Sequence, residues 1–231
     1  MNIFEGFYEI ITTKDYIGPV LSGLKATLIM TVCASVLGLI IGVIVALVKI
    51  SAQKNRFMKI PAIICDVYIT LIRGTPVALQ LFIMCFAILA IRNFPTLLAA
   101  SLTFGINSGA YVAENLRAGI QSIDIGQTEA GRSLGLGYGS TMFNIVIPQA
   151  VKNVIPAIGN ELIALLKETS IVSMVGVIDL TNAAKLIGAG QNMANYLIPT
   201  TFVALFYLAI VYIITWCIKL LERRFRKSDR G

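Results

Sequence analysis

Residues Ala26 to Val48 form a run of 23 without a charged side chain, closed at its ends by Lys25 and Lys49. An α-helix needs about 20 apolar residues to cross the hydrocarbon core of a bilayer. Two more uncharged runs, Asn93 to Ala113 and Tyr196 to Ile218, hold 21 and 23 residues. The 231-residue chain is 57% hydrophobic and 13% charged, with a mean hydropathy of +0.82. A soluble domain carries about 25% charged residues, because its surface must be wetted. The expected fold class is an all-α, polytopic membrane protein. With no histidine in the chain, the usual general base and the commonest metal ligand are missing. Cys33, Cys65, Cys85 and Cys217 lie in apolar runs without a Cys-x-x-Cys pair and read as small core hydrophobes.

Two further spans are less regular. Residues Ile60 to Ile91 are too long for one perpendicular helix, carry Asp66 and Arg73, and are interrupted at Gly74-Thr75-Pro76. Val154 to about Ile178 carries Glu161, Lys167 and Glu168. One transmembrane domain over residues 1–231 is expected, with spans at about 24–50, 58–91, 95–117, 151–178 and 196–220 and a loop at about 118–150. An odd number of spans puts the termini on opposite sides. Thirteen lysines and arginines fall on one side: Lys49, Lys54, Arg56, Lys59, Arg117, Arg132, Lys152 and six of the C-terminal tail up to Arg230. Only Lys14, Lys25, Arg92 and Lys185 fall on the other. The positive-inside rule then places the N-terminus outside and the C-terminus in the cytoplasm. The basic tail reads as this topology signal, with attraction to anionic lipid, rather than as a nucleic-acid site.

No cleavable signal peptide is expected, since Glu5, Glu9, Lys14 and Asp15 precede the apolar core. Phe4, Phe7, Tyr8 and Ile11 stand at helical spacing, which predicts an amphipathic helix on the outer membrane surface. Pro19 and Gly23 are expected to separate it from the first span.

The loop after the third span is too polar to cross and too patterned for a linker. Asp124 and Gln127 have capping-box spacing, a short helix is expected over Gln127 to Leu134, and Gly135 ends it. A second short helix, roughly Thr141 to Ile147, is expected to stop at Pro148. Its Met142, Phe143, Ile145 and Val146 are placed to tuck one face under the bundle. Two short helices around a glycine corner make a compact knob, read on physics alone as either a docking element or a connector.

Those residues carry a resemblance. Glu129-Ala130-Gly131, then Gly135, Ile145 and Pro148, resemble the EAA coupling motif of binding-protein-dependent ABC importers, with Gly131 in place of the motif's second alanine and Ile147 in place of its leucine. Arg73-Gly74-Thr75-Pro76, Ser108-Gly109-Ala110-Tyr111 with Glu114 and Arg117, Pro148-Gln149-Ala150 and Leu166-Lys167-Glu168-Thr169-Ser170 resemble the polar amino acid branch of those permeases. The resemblance covers about residues 20 to 220. It implies a permease subunit of the bacterial inner membrane that dimerises and sits on two ATP-hydrolysing subunits. It further implies that an extracytoplasmic binding protein delivers an amino acid. Gly126, Gln127, Glu129, Ala130, Arg132, Leu134 and Gly135 are its implied ATPase-coupling residues. No cofactor is expected in this chain; ATP and Mg belong to the partner ATPase. No Gly-Lys-Ser/Thr phosphate loop occurs, so an enzyme with its own ATP site is not expected.

Charges inside a span are costly and are functional candidates by default. Asn153, Asn160 and Lys167 recur every seven residues along the fourth span, with Ala157, Glu161, Ala164 and Glu168 beside them. Asn160, Glu161, Lys167 and Glu168 either face the substrate or form an internal ion pair; Lys167 could instead fix carbonyls or Asp66. Arg73 and Thr75, at a break that frees backbone groups, could take a substrate carboxylate. Asn107, Ser108 and Tyr111 could add hydrogen bonds, or merely belong to close helix packing through Gly105 and Gly109. Two carboxylates lean toward a cationic amino acid. The alternative function is a proton-coupled secondary transporter using Glu161 and Asp66. A homodimer is favoured over a heterodimer, because all the motifs stand in one chain.

Overall fold

The computed structural model describes residues 2–53, 55–190 and 196–227. Lys54 and Arg230, counted above with the basic side, lie outside them. Among the described residues every regular element is helical. Two helices are long and apolar enough to cross a membrane, and a bent pair adds a third. Two further helices, of 26 and 22 residues, are long enough but carry more polar side chains. The fold is that of a helical membrane protein.

Helix α1 (Ile3–Thr12) is followed at once by α2 (Lys14–Ala52). The expected separation at Pro19 and Gly23 is therefore wrong; the break lies at Thr13, whose extended backbone carbonyl receives the N–H groups of Tyr16 and Ile17. Pro19 sits in the second turn of α2, where its missing N–H removes one ladder bond and no more. Gly23 is a close-approach position, because a Cβ there would lie 2.5 Å from the Asp179 carbonyl oxygen. Helix α1 buries Ile10 and packs Phe7 edge-on against Phe202, while Phe4, Tyr8 and Ile11 face outward.

Helix α3 (Lys59–Gly74) ends at the expected interruption. Helix α4 (Val77–Ile83) then leaves at a bend of 107° and runs into a π-helical turn over Met84–Ile88. Pro76 explains the stop: it pushes the preceding Thr75 into extended backbone, φ −122° and ψ 146°. Helix α5 (Thr96–Gln121) is the most buried of the long helices and packs along α2. The contact is made by Gly38 and Gly42 on α2 against Ser108 and Val112, and by Gly105 and Gly109 on α5 against Leu37 and Ile41. A Cβ at Gly42 would come within 2.4 Å of Val112. In a bilayer, where lipid is as apolar as leucine, such close backbone approach is a main source of helix association.

The loop folds as α6 (Ile125–Ser133) and α7 (Tyr138–Thr141). The second loop helix does not stop at Pro148. A π-helical turn over Met142–Val146 carries α7 without interruption into α8 (Ile147–Glu168). Proline is tolerated there because it occupies the first turn after the π segment, where the ladder is already shifted to i→i+5. Met142 and Val146 are buried under the bundle, whereas Phe143 is exposed.

The fourth span also ends earlier than expected. Helix α8 tightens at Thr169 into a 3-10 turn to Val175, and Gly176, at φ +81°, reverses the chain. A short helix that the sequence reading missed, α9 (Leu180–Gly188), follows. Asp179 starts it by accepting from the N–H groups of Thr181 and Asn182, both at 2.9 Å. Helix α10 (Leu197–Lys227) completes the bundle against α8 and α9.

Candidate functional site

Ser108 stands at the middle of α5, 2% exposed. Glu161 is half-buried on α8. Both line a cavity of ≈ 530 Å³ walled by Ser35, Leu39, Val112, Ile158 and Gly159 among others. Among the described residues the ion pairs are Lys49–Asp66 at 2.6 Å and the i,i+3 pair Glu114–Arg117. Glu161 therefore has no cationic partner among them. Neither Lys167 nor Glu161 pairs with Asp66, which Lys49 holds where α2 and α3 run side by side; of the alternatives open for Lys167, the one with Asp66 does not hold.

A second group of residues gathers at the break between α3 and α4. The Asn107 amide donates to Gln80 Oε1 at 2.9 Å. Gln80 Nε2 in turn donates to Thr75 Oγ1 and to the Ile72 carbonyl, each at 2.8 Å. The carbonyls that Pro76 leaves unpaired are thus served by a side chain, and α5 is tied to the break. Asn107 and Thr75 are engaged in this bridge. Arg73 is exposed, with its guanidinium carbon 5.3 Å from the centroid of the Tyr111 ring. The Tyr68 hydroxyl donates to the Ile106 carbonyl one residue before Asn107. Gln80, with Leu81 and Phe82, belongs by sequence to the stretch that resembles the polar amino acid permeases, without a role of its own, and nothing in the sequence singled out Tyr68.

Asn153, Asn160 and Lys167 are all exposed along one line of α8. Asn160 is next to Glu161 but opens outward. Lys167 does not line the Glu161 cavity; it lines a separate cleft with Lys185. Glu168 is half-buried.

On the loop, Asp124 Oδ1 accepts from the Gly126 N–H at 2.7 Å and opens α6. Gly135, at φ +83°, closes it: its N–H bonds the Arg132 carbonyl, and the Leu136 N–H bonds the Gly131 carbonyl. This is a complete Schellman motif. Gln127, Glu129, Ala130, Arg132 and Leu134 are exposed and Gly126 is half-buried, with Leu134 at 81% and Ile125 at 74% exposure. Gly131 is buried against Thr141, whose Cγ2 would lie 2.8 Å from any added Cβ. Glycine in place of alanine there is what lets α6 and α7 touch.

A bundle of this kind, with a broken span, glycine-mediated packing, polar side chains inside its long helices and a capped two-helix knob, is that of a membrane transport subunit. Residues 38–227 match the family described as binding-protein-dependent transport system inner membrane component. The arginine transport system permease protein ArtQ of Bacillus subtilis (strain 168) is 41% identical over 212 residues, covering 91% of this chain and 94% of that protein. The putative glutamine transport system permease protein GlnP of Rickettsia bellii (strain RML369-C) is 38% identical over 208 residues, covering 89% and 92%. A crystal structure of an amino acid ABC transporter with histidines superposes with a TM-score of 0.81 at 38% identity, over 90% of this chain and 95% of that one. The MetNI methionine ABC transporter, at 19% identity and a TM-score of 0.77, shares the fold. The chain belongs to the family of binding-protein-dependent transport system inner membrane components. It is the permease subunit of an ABC importer; ATP hydrolysis is the work of a separate ATPase subunit, and delivery that of a separate binding protein.

Proposed function

We propose that this chain carries a cationic amino acid across the bacterial plasma membrane. The carrying observation is Glu161: a half-buried carboxylate inside a span, in one cavity with Ser108 and without an ion-pair partner among the described residues. A carboxylate there is costly unless a cation neutralises it, and the substrate's own positive group is the one proposed. Asn160, beside Glu161 on α8, is exposed and outside the lining of that cavity. Arg73, stacked on Tyr111 at the α3–α4 break and outside the Glu161 cavity, is the cation proposed for the carboxylate end. Asn107 and Thr75 hold the break in shape through Gln80. Lys167, in a different cleft, is left out of this seat, and Glu168 lies farther along the seam. The relative ArtQ, described as an arginine permease, agrees with this substrate class.

The chain crosses five times, with its N-terminus outside and its C-terminus in the cytoplasm. Asn153, Asn160 and Lys167 are exposed on a single chain, and such groups do not face lipid. A second copy of the chain covers that face and closes the path. The α6 knob of each copy docks on one of two ATPase subunits, which hold ATP and Mg. Proton coupling through Glu161 and Asp66 has no support, because Asp66 is paired with Lys49.

Equilibrium binding to the assembled, detergent-solubilised complex tests the substrate class. Arginine or lysine is expected to bind at least tenfold more tightly than glutamine or glutamate. Equal affinity for glutamine overturns the cationic reading. Orientation is tested separately by labelling single introduced cysteines with a membrane-impermeant reagent in whole cells. A cysteine in place of Lys14 is expected to react from outside, and one in place of Arg132 only after the membrane is opened. Reversed accessibility contradicts the orientation.

A further inference from the structure

Helix α7, the π-helical turn and α8 follow one another without a break from Tyr138 to Glu168. Thr141, Ile145, Gln149 and Asn153 stand four residues apart along the first part of this run. A step of four is close to one helical turn, so they form a stripe. Every one of them meets the segment that leads into α6 or α6 itself. A Cβ at Gly131 would lie 2.8 Å from Thr141 and 3.0 Å from Ile145. Gln149 Nε2 donates to Gln127 Oε1 at 3.2 Å and to the Ile145 carbonyl at 2.9 Å. Asn153 Nδ2 donates to Ser122 Oγ at 3.0 Å, while the Ser122 hydroxyl gives its own proton to the Gly119 carbonyl at 2.7 Å. The partners run backward as the stripe runs forward, as in an antiparallel pair.

Helix α6 has little else to hold it. Gly131 is the one residue it buries. A contact through a single glycine leaves a short helix free to rock about that point. The two amide ties, at Gln127 and Ser122, lie four and nine residues before Gly131 and remove that freedom. We propose that Gln149 and Asn153 are positioning residues of the transport cycle, which clamp α6 to α8 as one rigid body. A displacement of the knob then reaches the helix that carries Glu161. Glu161 lies twelve residues beyond Gln149, about 18 Å along the axis at 1.5 Å per residue. Pro156 between them removes one ladder bond without ending the helix. This role rests on the docking of the knob on the ATPase proposed above, and it names the residues that pass the motion on.

The test compares complete complexes in proteoliposomes for amino acid taken up per ATP hydrolysed, with arginine and with glutamine as cargo. An exposed hydrogen bond adds little to stability, and alanine suits a helix. Gln149→Ala with Asn153→Ala is therefore expected to keep its melting temperature, its bound ATPase and its ATP hydrolysis. Uptake per ATP is expected to fall at least fivefold. A second arm restores the link by other means. Ser122→Cys with Asn153→Cys is made in the Gln149→Ala chain, with Cys33, Cys65, Cys85 and Cys217 replaced by serine. Both positions line an open cleft of ≈ 650 Å³, where a short bifunctional thiol reagent can join them. This complex is expected to be uncoupled before bridging and coupled after it. A double-alanine complex as efficient per ATP as the unaltered one overturns the proposal. So does arrest of transport on bridging, which means that α6 and α8 must part during the cycle. Loss of the ATPase from the double-alanine complex also overturns it, since the two residues then hold the docking surface and do not pass on motion. Uptake of glutamine and not arginine, with the same dependence on Gln149 and Asn153, refutes the substrate reading and supports the clamp.

Discussion

Glu161→Gln is expected to weaken binding of the transported amino acid by roughly ten- to a hundredfold while barely changing the melting temperature of the complex. Glutamine keeps the length of the side chain and an acceptor oxygen, but not the charge. Hydrogen bonds to charged groups contribute about 1.5–3 kcal/mol, and each 1.4 kcal/mol is a factor of about ten in affinity. The stability side of the prediction follows from the ion pairs. Lys49 belongs to Asp66 and Arg117 to Glu114, Arg73 stacks on Tyr111, and Lys167 faces another cleft. No cation of the described chain is stranded when Glu161 becomes neutral, and a neutral amide is easier to bury than an unpaired carboxylate. Binding titration and thermal unfolding of this one variant decide the matter. Unchanged affinity with a large loss of stability means that Glu161 holds the assembly together and does not meet the substrate.

A comparable loss is expected at the other end of the molecule. Gly135→Val should leave the chain inserted and paired but lower transport more than tenfold, with ATP hydrolysis no longer stimulated by the binding protein. Gly135 sits at φ +83°, and nothing lies within 4 Å of the place a Cβ would take. The penalty is therefore one of backbone conformation rather than of collision, of order 1–3 kcal/mol for a non-glycine residue held there, and greatest for a β-branched one. It falls on the Schellman closure that aims α6, and on none of the buried residues of the bundle. Asparagine tolerates the left-handed region, so Gly135→Asn should retain most of the transport. Transport by Gly135→Val at the full rate in proteoliposomes, with normal stimulation of ATP hydrolysis, removes the knob from the coupling path.

The sequence was most legible where one physical cause dominates. The uncharged runs are the cores of α2, α5 and α10, because no other arrangement satisfies so much apolar surface and backbone together. The Gly74-Thr75-Pro76 break was legible from proline's effect on the residue before it, and the α6 boundary from Asp124 and Gly135. What was missed depends on partners distant in sequence. Pro19 looked like a helix stop, but early in a 39-residue helix the loss of one bond is outweighed by all that follows. Pro148 looked like another, and the π turn before it, invisible in the residue pattern, absorbs it. Helix α9 is only nine residues long and mixes polar and apolar positions, so its single clear signal was the capping residue Asp179. Asp66 offered several cations within reach by sequence, and only the antiparallel course of α2 and α3 selects Lys49. In the candidate site, Glu161 and Ser108 were both legible as polar residues inside spans. That Asn107 and Thr75 serve the break rather than open toward a ligand followed from Gln80, whose role only the folded chain reveals.

The most direct test of the account is the energy source for uptake by the complete complex in proteoliposomes, loaded with binding protein and arginine. The account predicts that uptake needs ATP on the side of the α6 knob and continues at the same rate when a protonophore collapses the proton gradient. Uptake that proceeds without ATP, driven by an imposed proton gradient and abolished by the protonophore, contradicts it.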